Sequence, residues 1–263
     1  MTESDAVAAD SASSTDFVQS LARGLAVIRT FDGEPADLSL AEVARRADIP
    51  RAAARRFLRT LEQLGYVVTQ DTRFRLTPRV LELGYGYLSS LSLPEIVQPH
   101  LDALSREIGE SVSVAVLDGS EIVYVARAAA RRIMSVRITI GTRLPAVATS
   151  MGRVLLAELP DVETVLDAAD LIAYTPRTRA DRAELSAELD RVRAQCWAMV
   201  DGELEDGLRS IAVPVRTRSG VAAALNVSTS TARGAADAVR AELLPALQRT
   251  ASRIEGELRD ARA

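Results

Sequence analysis

The chain has few of the residues that build metal centres and disulfides. Its 263 residues include one cysteine, Cys196, and one histidine, His100. A single cysteine excludes an internal disulfide, and no histidine–cysteine cluster has metal-ligand spacing. We therefore expect neither a metal nor a cofactor, and we interpret both residues as structural.

Long apolar runs are also lacking. No stretch approaches the roughly 20 apolar residues that span a bilayer, although 48% of the residues are hydrophobic. The first residues, MTESDAVAADSASSTD, lack the charged-then-apolar order of a secretory signal. These features predict a cytoplasmic globular protein without membrane contact, with residues 1–15 as a disordered tail.

Lysine is absent, so all 32 basic residues are arginines. The net charge is −4, yet residues 40–79 contain nine arginines against four acidic residues. Such a local excess of positive charge predicts a polyanion-binding module attached to an acidic remainder.

Local patterns predict three helices in this module. Leu21, Leu25 and Ile28 recur at helical spacing, which predicts a first helix over residues 17–31. Ser39 and Glu42 stand in capping-box register, which predicts a short second helix over residues 40–47. A third helix is expected from Pro50, at the first helical position, to about residue 65. Its predicted core face consists of Ala54, Phe57, Leu58, Leu61 and Leu64.

The third helix places arginines on the face opposite this core. Two helices joined by a tight turn, followed by a hairpin around Asp71 and Thr72, occur in the order of a winged helix-turn-helix. Arginines bridge phosphates or bind guanine, and small residues allow close approach to DNA. A solvated basic face is the alternative, but the order of elements favours DNA contacts from Arg51, Ala52, Ala53, Arg55, Arg56, Arg59 and Arg73.

The remainder of the chain predicts an α+β organisation. We expect a winged helix-turn-helix domain over residues 16–78 and a linker helix over 79–93, which either pairs with a second subunit or packs within the chain. Residues 94–263 are expected to form an antiparallel-sheet domain. Its predicted elements are a hairpin around residues 118–119, a strand over 132–141, helices near 149, over 161–168, over 181–195 and over 235–260, and a hairpin over 210–229.

Three features of the second domain indicate a ligand site. The helix start ATSMG, residues 148–152, offers backbone N–H groups and hydroxyls to a carboxylate. Ala224, Asn226 and Ser228 share one strand face, and Ser210 and Ala212 repeat this small, polar pattern. Thr149 or Ser150 could instead only cap a helix, and Asn226 could only satisfy an edge strand. Three arginines could neutralise an acidic ligand, namely Arg137, Arg143 and Arg209.

The chain resembles IclR-family transcriptional regulators along almost its full length, through blocks such as LARGLAVIRTF, RAAARRFLRTLEQLGYV, GTRLPAVATSMGRVLLAEL and DGELEDGLRSIAVPV. It looks most like the PcaR, PcaU and PobR branch, which controls protocatechuate, 4-hydroxybenzoate and β-ketoadipate catabolism. The resemblance implies a GAF-like effector domain, dimers or dimers of dimers, and an effector site at Thr149, Ser150, Met151, Gly152, Ser210, Asn226 and Ser228.

One departure concerns Val200, which stands where many members carry the first of two acidic residues. The loss of an anionic wall favours an acidic ligand. We therefore expect a regulator, without enzymatic activity, that binds a near-palindromic operator and senses an acid such as protocatechuate, 4-hydroxybenzoate or β-ketoadipate.

Three alternatives remain at this stage. The chain could regulate another carbon-source pathway, or it could be an architectural DNA binder without an effector. It could also be a hydrolase with Ser150 or Cys196 as nucleophile, although the sequence offers no partnering base.

Overall fold

The computed structural model describes residues 17–32, 36–83, 93–130 and 138–260. The chain divides into two compact units, residues 1–89 and residues 90–263. The tail predicted over residues 1–15 and most of the linker helix predicted over 79–93 lie outside the described residues. At the start of that linker, residues Pro78–Leu81 form a 3₁₀ turn.

The first unit contains helices and a small sheet in the order of a winged helix-turn-helix. Strands β1 to β3 form an antiparallel sheet in the order β1-β3-β2. The two-residue strand β1 was not predicted. In chain order the elements are α1 Gln19–Arg29, β1 Leu38–Ser39, α2 Leu40–Arg46, α3 Arg51–Gln63, β2 Val67–Gln70 and β3 Arg73–Leu76.

Local capping explains where α2 begins. The Ser39 hydroxyl accepts a hydrogen bond from the Glu42 backbone N–H at 3.3 Å, and the Glu42 carboxylate accepts one from the Ser39 N–H at 2.8 Å. The predicted capping box is thus present, and these hydrogen bonds lower the pKa of Glu42. Pro50 was expected to be the first residue of α3. It is instead the N-cap, with an extended ψ of 143°, and the helix begins at Arg51.

The core of the first unit corrects one apolar assignment. Ala54, Leu58 and Leu61 of α3 are buried as predicted, but Leu64 lies beyond the last helical residue and is 51% exposed. On α1 the buried residue is Val27, whereas Leu21 and Leu25 are 63% and 44% exposed. The helix predicted from their spacing is present, and the two leucines are exposed on it.

The second unit is built on one six-stranded antiparallel sheet, in the order β6-β5-β4-β9-β8-β7. Its strands are β4 Ser111–Asp118, β5 Glu121–Ala128, β6 Arg143–Pro145, β7 Ala198–Asp201, β8 Leu208–Thr217 and β9 Gly220–Ser230. Its helices are α4 Leu93–Ile108, α5 Ser150–Ala157, α6 Val162–Ala168, α7 Arg182–Gln195 and α8 Ala236–Asp260. None of the helices in the four described ranges combines the length and apolar character needed to cross a bilayer.

Helices cover both faces of this sheet, because alternate strand residues supply two separate cores. One face packs against α4 and α8 through residues such as Val112, Val114 and Leu225. The other face packs against α5, α6 and α7 and includes the small residues Ala212 and Ala224. Small side chains on this second face leave room between the sheet and the start of α5.

Two predicted elements of this unit need correction. Helix α4 was not predicted. Pro94 occupies its first turn, where proline is tolerated, and the helix continues past Pro99. The strand predicted to end at Gly141 is absent from residues 138–141, where Gly141 has a φ of +89°. Residues 132–137 of that prediction lie outside the described part of the chain, and β6 begins two residues later.

Candidate functional site

The exposed face of α3 carries the predicted DNA-binding residues. Arg51, Ala52, Arg55, Arg56 and Arg59 are exposed, and Ala53 is half-buried. Within the described ranges the four arginine side chains have no hydrogen-bond or ion-pair partner. The face therefore presents unpaired positive charge on a rigid helix, as a recognition helix requires.

Arg73 is placed differently from the α3 arginines. Its guanidinium donates to the backbone carbonyl of Asp37 at 2.6 Å and to the Glu42 carboxylate at 3.3 Å. These bonds connect the hairpin wing to β1 and to the start of α2. The structure therefore gives Arg73 a role in holding the wing, and its contact with DNA stays a prediction.

A cavity lies between the sheet of the second unit and the start of α5. It is partly enclosed and partly open to solvent. Its apolar walls include Ala148, Leu144 and Val200, and polar side chains project between them. A mostly apolar cavity with a few convergent polar groups is typical of a small-molecule site. Five of the predicted effector residues line it: Thr149, Ser150, Ser210, Asn226 and Ser228.

The start of α5 forms one wall because its cap fixes the chain there. The Thr149 hydroxyl accepts a hydrogen bond from the Gly152 N–H at 3.0 Å. The next hydroxyl, that of Ser150, donates to the Ser210 hydroxyl on β8 at 2.9 Å. Thr149 is therefore a helix cap as well as a cavity residue, and Ser150 joins the helix to the sheet.

Met151 and Gly152, also predicted as effector residues, do not line the cavity. Met151 is fully buried among the apolar residues between α5 and the sheet. A Cβ atom at Gly152 would lie 2.1 Å from the carbonyl oxygen of Ala146, so this glycine permits the close packing of α5 on the preceding turn. Sequence alone does not separate a packing glycine from a ligand-binding glycine. The placement of Met151 and Gly152 indicates structural roles for both.

The sheet wall of the cavity is lined by short polar side chains. Ser210 lies opposite Ser228 on β9, and both strands turn these residues to the cavity. Asn226 donates to the Ser228 hydroxyl at 3.2 Å, while its own amide oxygen is buried without a partner among the described residues. A buried, unpaired acceptor of this kind is suited to a ligand donor.

Strand β4 adds two cavity residues that sequence reasoning missed. Ser111 and Ser113 lie opposite Ser228 and Asn226 in the sheet. The alternation in SVSVAV carried the signal, because serine recurs at every second position of a strand that is otherwise apolar. That pattern was used only to predict the hairpin.

Strand β5 contributes Tyr124 and Arg127, which the sequence analysis also missed. Burial raises the pKa of Tyr124 to about 12, so its phenol is neutral near pH 7. Burial likewise lowers the pKa of the Arg127 guanidinium. The cavity therefore contains one cationic side chain and one neutral hydroxyl donor on the same strand.

The arginines predicted to neutralise the ligand do not line the described cavity wall. Arg143 pairs with Asp118 and Glu121, each at 2.7 Å, and hydrogen bonds to these carboxylates raise its pKa. Arg209 contacts both carboxylate oxygens of Asp201 at 3.0 Å. Arg137 lies outside the described residues.

Catalytic and metal-binding chemistry finds little support in the described residues. Within them, no group of three or more histidine, cysteine, aspartate or glutamate side chains could hold a metal ion. Ser150 donates to another hydroxyl, and His100 lies 3.0 Å from Glu257, on α8. Cys196 is an exposed free thiol at the left-handed end of α7.

Comparison with known proteins assigns the fold to a family. The helix-turn-helix model of the IclR family matches residues 20–71, and the model for the C-terminal part of the bacterial transcriptional regulator IclR matches residues 85–256. The chain belongs to the IclR family. The family, the fold class and the transcriptional-regulator class predicted from the sequence are therefore confirmed.

Individual IclR-family relatives align along most of their length. The Pca regulon regulatory protein of Pseudomonas putida is 48% identical over 88% of this chain and 81% of its own. A transcriptional regulator of Rhodococcus sp. RHA1 is 56% identical, with a TM-score of 0.81 over 92% of this chain and 98% of that one. An IclR homologue of Microbacterium hydrocarbonoxydans, solved with 4-hydroxybenzoate, is 28% identical, with a TM-score of 0.81 over 91% and 98%.

Proposed function

We propose that this chain regulates genes of aromatic-acid catabolism in the β-ketoadipate pathway, and that a small aromatic or related organic acid controls its affinity for an operator. One observation carries the proposal. The same chain has a recognition helix with four unpaired arginines in its first unit and a mostly apolar cavity with convergent polar groups in its second.

DNA is the polyanion that suits the first unit. The positive face of α3 is helical, and its four arginines have no ion-pair partner among the described residues, so it fits the major groove. In the proposed complex, Arg51, Arg55, Arg56 and Arg59 contact phosphates or bases, and Ala52 and Ala53 allow close approach. Arg73 supports the wing, whose tip at residues 71–72 lies next to it in the chain.

An acid with a flat, apolar body suits the second unit. Leucine, valine and alanine side chains supply contact surface for a ring, while the serines, Asn226 and Arg127 offer hydrogen bonds at its edges. The P. putida relative is named for the pca regulon, and the M. hydrocarbonoxydans homologue was solved with 4-hydroxybenzoate. Protocatechuate, 4-hydroxybenzoate and β-ketoadipate are therefore the candidate effectors.

The active form is proposed to be a homodimer or a dimer of dimers bound to a near-palindromic operator. One winged helix-turn-helix reads few base pairs, and symmetric oligomers read symmetric DNA. The exposed leucines of α1, Leu21 and Leu25, provide apolar surface for a second copy. Footprinting should show two related half-sites, and protection of one unrepeated half-site by a monomer would contradict this part of the proposal.

A regulator of this kind needs no catalytic group, metal or cofactor and acts in the cytoplasm. The hydrolase alternative requires a base for Ser150 or Cys196. Ser150 bonds to Ser210, and the Cys196 sulfur lies near Arg193 and Arg216, which are not bases. Incubation with aromatic esters should therefore release no product above the uncatalysed rate.

Thermal-shift measurements test the effector class. The full chain is heated with each candidate acid and with the matching neutral amide. A ligand at 100 times its dissociation constant stabilises the folded state by about 2.7 kcal/mol, which is readily measured as a rise in Tm. A rise with at least one of the three acids is expected. No rise with any of them would favour a regulator of another pathway or a DNA binder without an effector.

A further inference from the structure

A β-bulge in β5 brings Tyr124 and Arg127 to the same face of the sheet. Tyr124 pairs with Ala115 and Ala126 pairs with Val114, so Val125 is the extra residue between them. Without the bulge, residues three apart on a strand point to opposite faces. Bulges commonly redirect a side chain next to a functional site, and this one turns Arg127 into the cavity.

The hydrogen-bond donors of the Arg127 side chain are only partly paired. One Nη atom donates to the carbonyl of Ile138, but the Nε atom is buried without a hydrogen-bond partner among the described residues. No carboxylate within those residues contributes to its electrostatic environment, which is dominated by burial and by Tyr124. An incoming anion would supply both the missing acceptor and the missing countercharge.

The sequence around Arg127 also excludes a local carboxylate. Residues 126–145 contain five arginines and no aspartate or glutamate. The acidic residues therefore lie at least six positions from Arg127 in the sequence. A region that contains only positive charges also attracts anions from solution.

The opposite end of the cavity has different chemistry. Strands β5 and β8 are separated by β4 and β9, so their backbones are three strand intervals apart, or about 14 Å. On β8 the polar group is the hydroxyl pair of Ser210 and Ser150, next to the apolar Val200. A ligand that spans the remaining interval between the arginine side chain and the hydroxyl pair would meet one polar group at each end.

We propose that Arg127 binds the carboxylate of the effector, and that the Ser150–Ser210 pair binds the polar group at its far end. This assignment rests on the proposed function, because it presupposes that an organic acid occupies the cavity. It replaces the expectation that the carboxylate binds at the start of α5. There, the Gly152 N–H is already bonded to Thr149, and the helix offers only partial charge.

The test compares an acid with its neutral amide in wild-type and variant proteins. Benzoate, 4-hydroxybenzoate and protocatechuate are each titrated beside the corresponding benzamide by calorimetry. A hydrogen-bonded ion pair should give the wild type a preference of about 10- to 100-fold for the acid. In Arg127→Met the preference should fall to near one, through weaker acid binding alone. The retained amide affinity of this variant shows that the cavity is still folded.

Ser150→Ala is the matched variant at the other end of the cavity. It should keep the preference for acid over amide and lose the preference for 4-hydroxybenzoate over benzoate. If Arg127→Met does not fold, Arg127→Lys replaces it and should reduce the acid preference, because an ammonium lacks the two-point geometry of guanidinium.

The outcomes separate the two proposals. If no acid binds the wild type, the proposed effector class fails and the Arg127 assignment fails with it. If an acid binds but Arg127→Met, or Arg127→Lys in its place, leaves the acid preference unchanged, the effector class stands and the Arg127 assignment is overturned. Loss of the acid preference in Ser150→Ala alone would return the carboxylate to the start of α5.

Discussion

Arg153 and Glu203 form a buried ion pair with two hydrogen bonds, from Nη1 to Oε1 at 2.8 Å and from Nη2 to Oε2 at 2.6 Å. The Arg153 Nε atom also donates to the Val147 carbonyl at 2.9 Å. Arg153 lies one turn after Ser150, and Glu203 directly precedes the cavity residue Leu204. The pair therefore holds two walls of the cavity together.

Replacing one partner of this pair should cost more stability than replacing a surface pair. Glu203→Gln leaves the Arg153 charge buried without a countercharge, and we expect a loss of about 3–5 kcal/mol in the free energy of unfolding. The control is Asp190→Asn, which removes an exposed pair with Arg193 and should cost less than about 1 kcal/mol. Urea unfolding measures the free energy of unfolding of both variants. Equal losses in the two would contradict a stabilising role for the Arg153–Glu203 pair.

The same pair predicts a pH dependence. Burial raises the pKa of Glu203, but the hydrogen bonds and charges of Arg153 and Arg179 outweigh burial and lower it below its ordinary value of 4.5. A depressed folded-state pKa stabilises the protein above the unfolded value, and this contribution disappears as pH falls through the folded-state pKa. The stability difference between wild type and Glu203→Gln should therefore shrink below about pH 4.5.

Substitution of Gly152 tests whether this residue serves packing or ligand binding. Gly152→Ala should destabilise the protein without any effector, by about 1–3 kcal/mol, because the new methyl group overlaps the Ala146 backbone. Gly256→Ala is the control, since the nearest atom to its added Cβ is the end of Arg259 at 4.0 Å. There the change should stabilise α8 by about 0.5–1 kcal/mol. If Gly152→Ala keeps full stability and loses only effector affinity, the structural role of Gly152 is wrong.

Arg55 and Arg56 should carry much of the DNA affinity. Replacing an arginine that contacts a base should reduce the discrimination at one operator base pair by about 1–3 kcal/mol. Replacing an arginine that contacts a phosphate should weaken binding to all DNA sequences and reduce the salt dependence of binding. Arg253→Ala is the control, because Arg253 is an exposed arginine on α8, in the other unit. Fluorescence anisotropy at several salt concentrations measures these effects. Unchanged operator affinity in the Arg55→Ala, Arg56→Ala double variant would exclude α3 as the recognition helix.

The sheet wall of the cavity should be needed for the effector response. Asn226→Leu and Ser228→Ala remove polar groups that line the cavity, and Ser150→Leu fills the space beside Ser210. Each should weaken effector binding at least tenfold, about 1.4 kcal/mol. The exposed Ser252→Ala on α8 is the control. Calorimetry that finds wild-type affinity in all three cavity variants would place the effector elsewhere.

How much the sequence could predict depends on the range of each interaction. Helix α2 and helix α7 begin where their caps predict, because Ser39 and Asp181 bond to N–H groups only three residues away. Ser210, Asn226 and Ser228 were found because strand alternation is also local. The family resemblance supplied the order of the remaining blocks.

Other features depend on contacts that no local pattern contains. The bulge at Val125 changes which β5 residues face the cavity, so strict alternation could not predict Arg127. Arg143 was considered as a group that could neutralise an acidic ligand, but it pairs with carboxylates 22 and 25 residues earlier in the chain. Gly152 was expected to bind the effector because of the family resemblance, whereas its close approach to Ala146 becomes visible only in three dimensions.

The most direct test of the proposed function is reciprocal binding of effector and operator. The effector with the largest thermal shift is titrated into free protein and into protein saturated with the footprinted operator, and operator affinity is measured with and without that effector. Thermodynamic linkage requires that the effector change operator affinity by the same factor as the operator changes effector affinity. This factor is about 5- to 150-fold for typical coupling. A shared factor in this range is the predicted result. Operator affinity that is independent of saturating effector would show that the cavity does not control DNA binding.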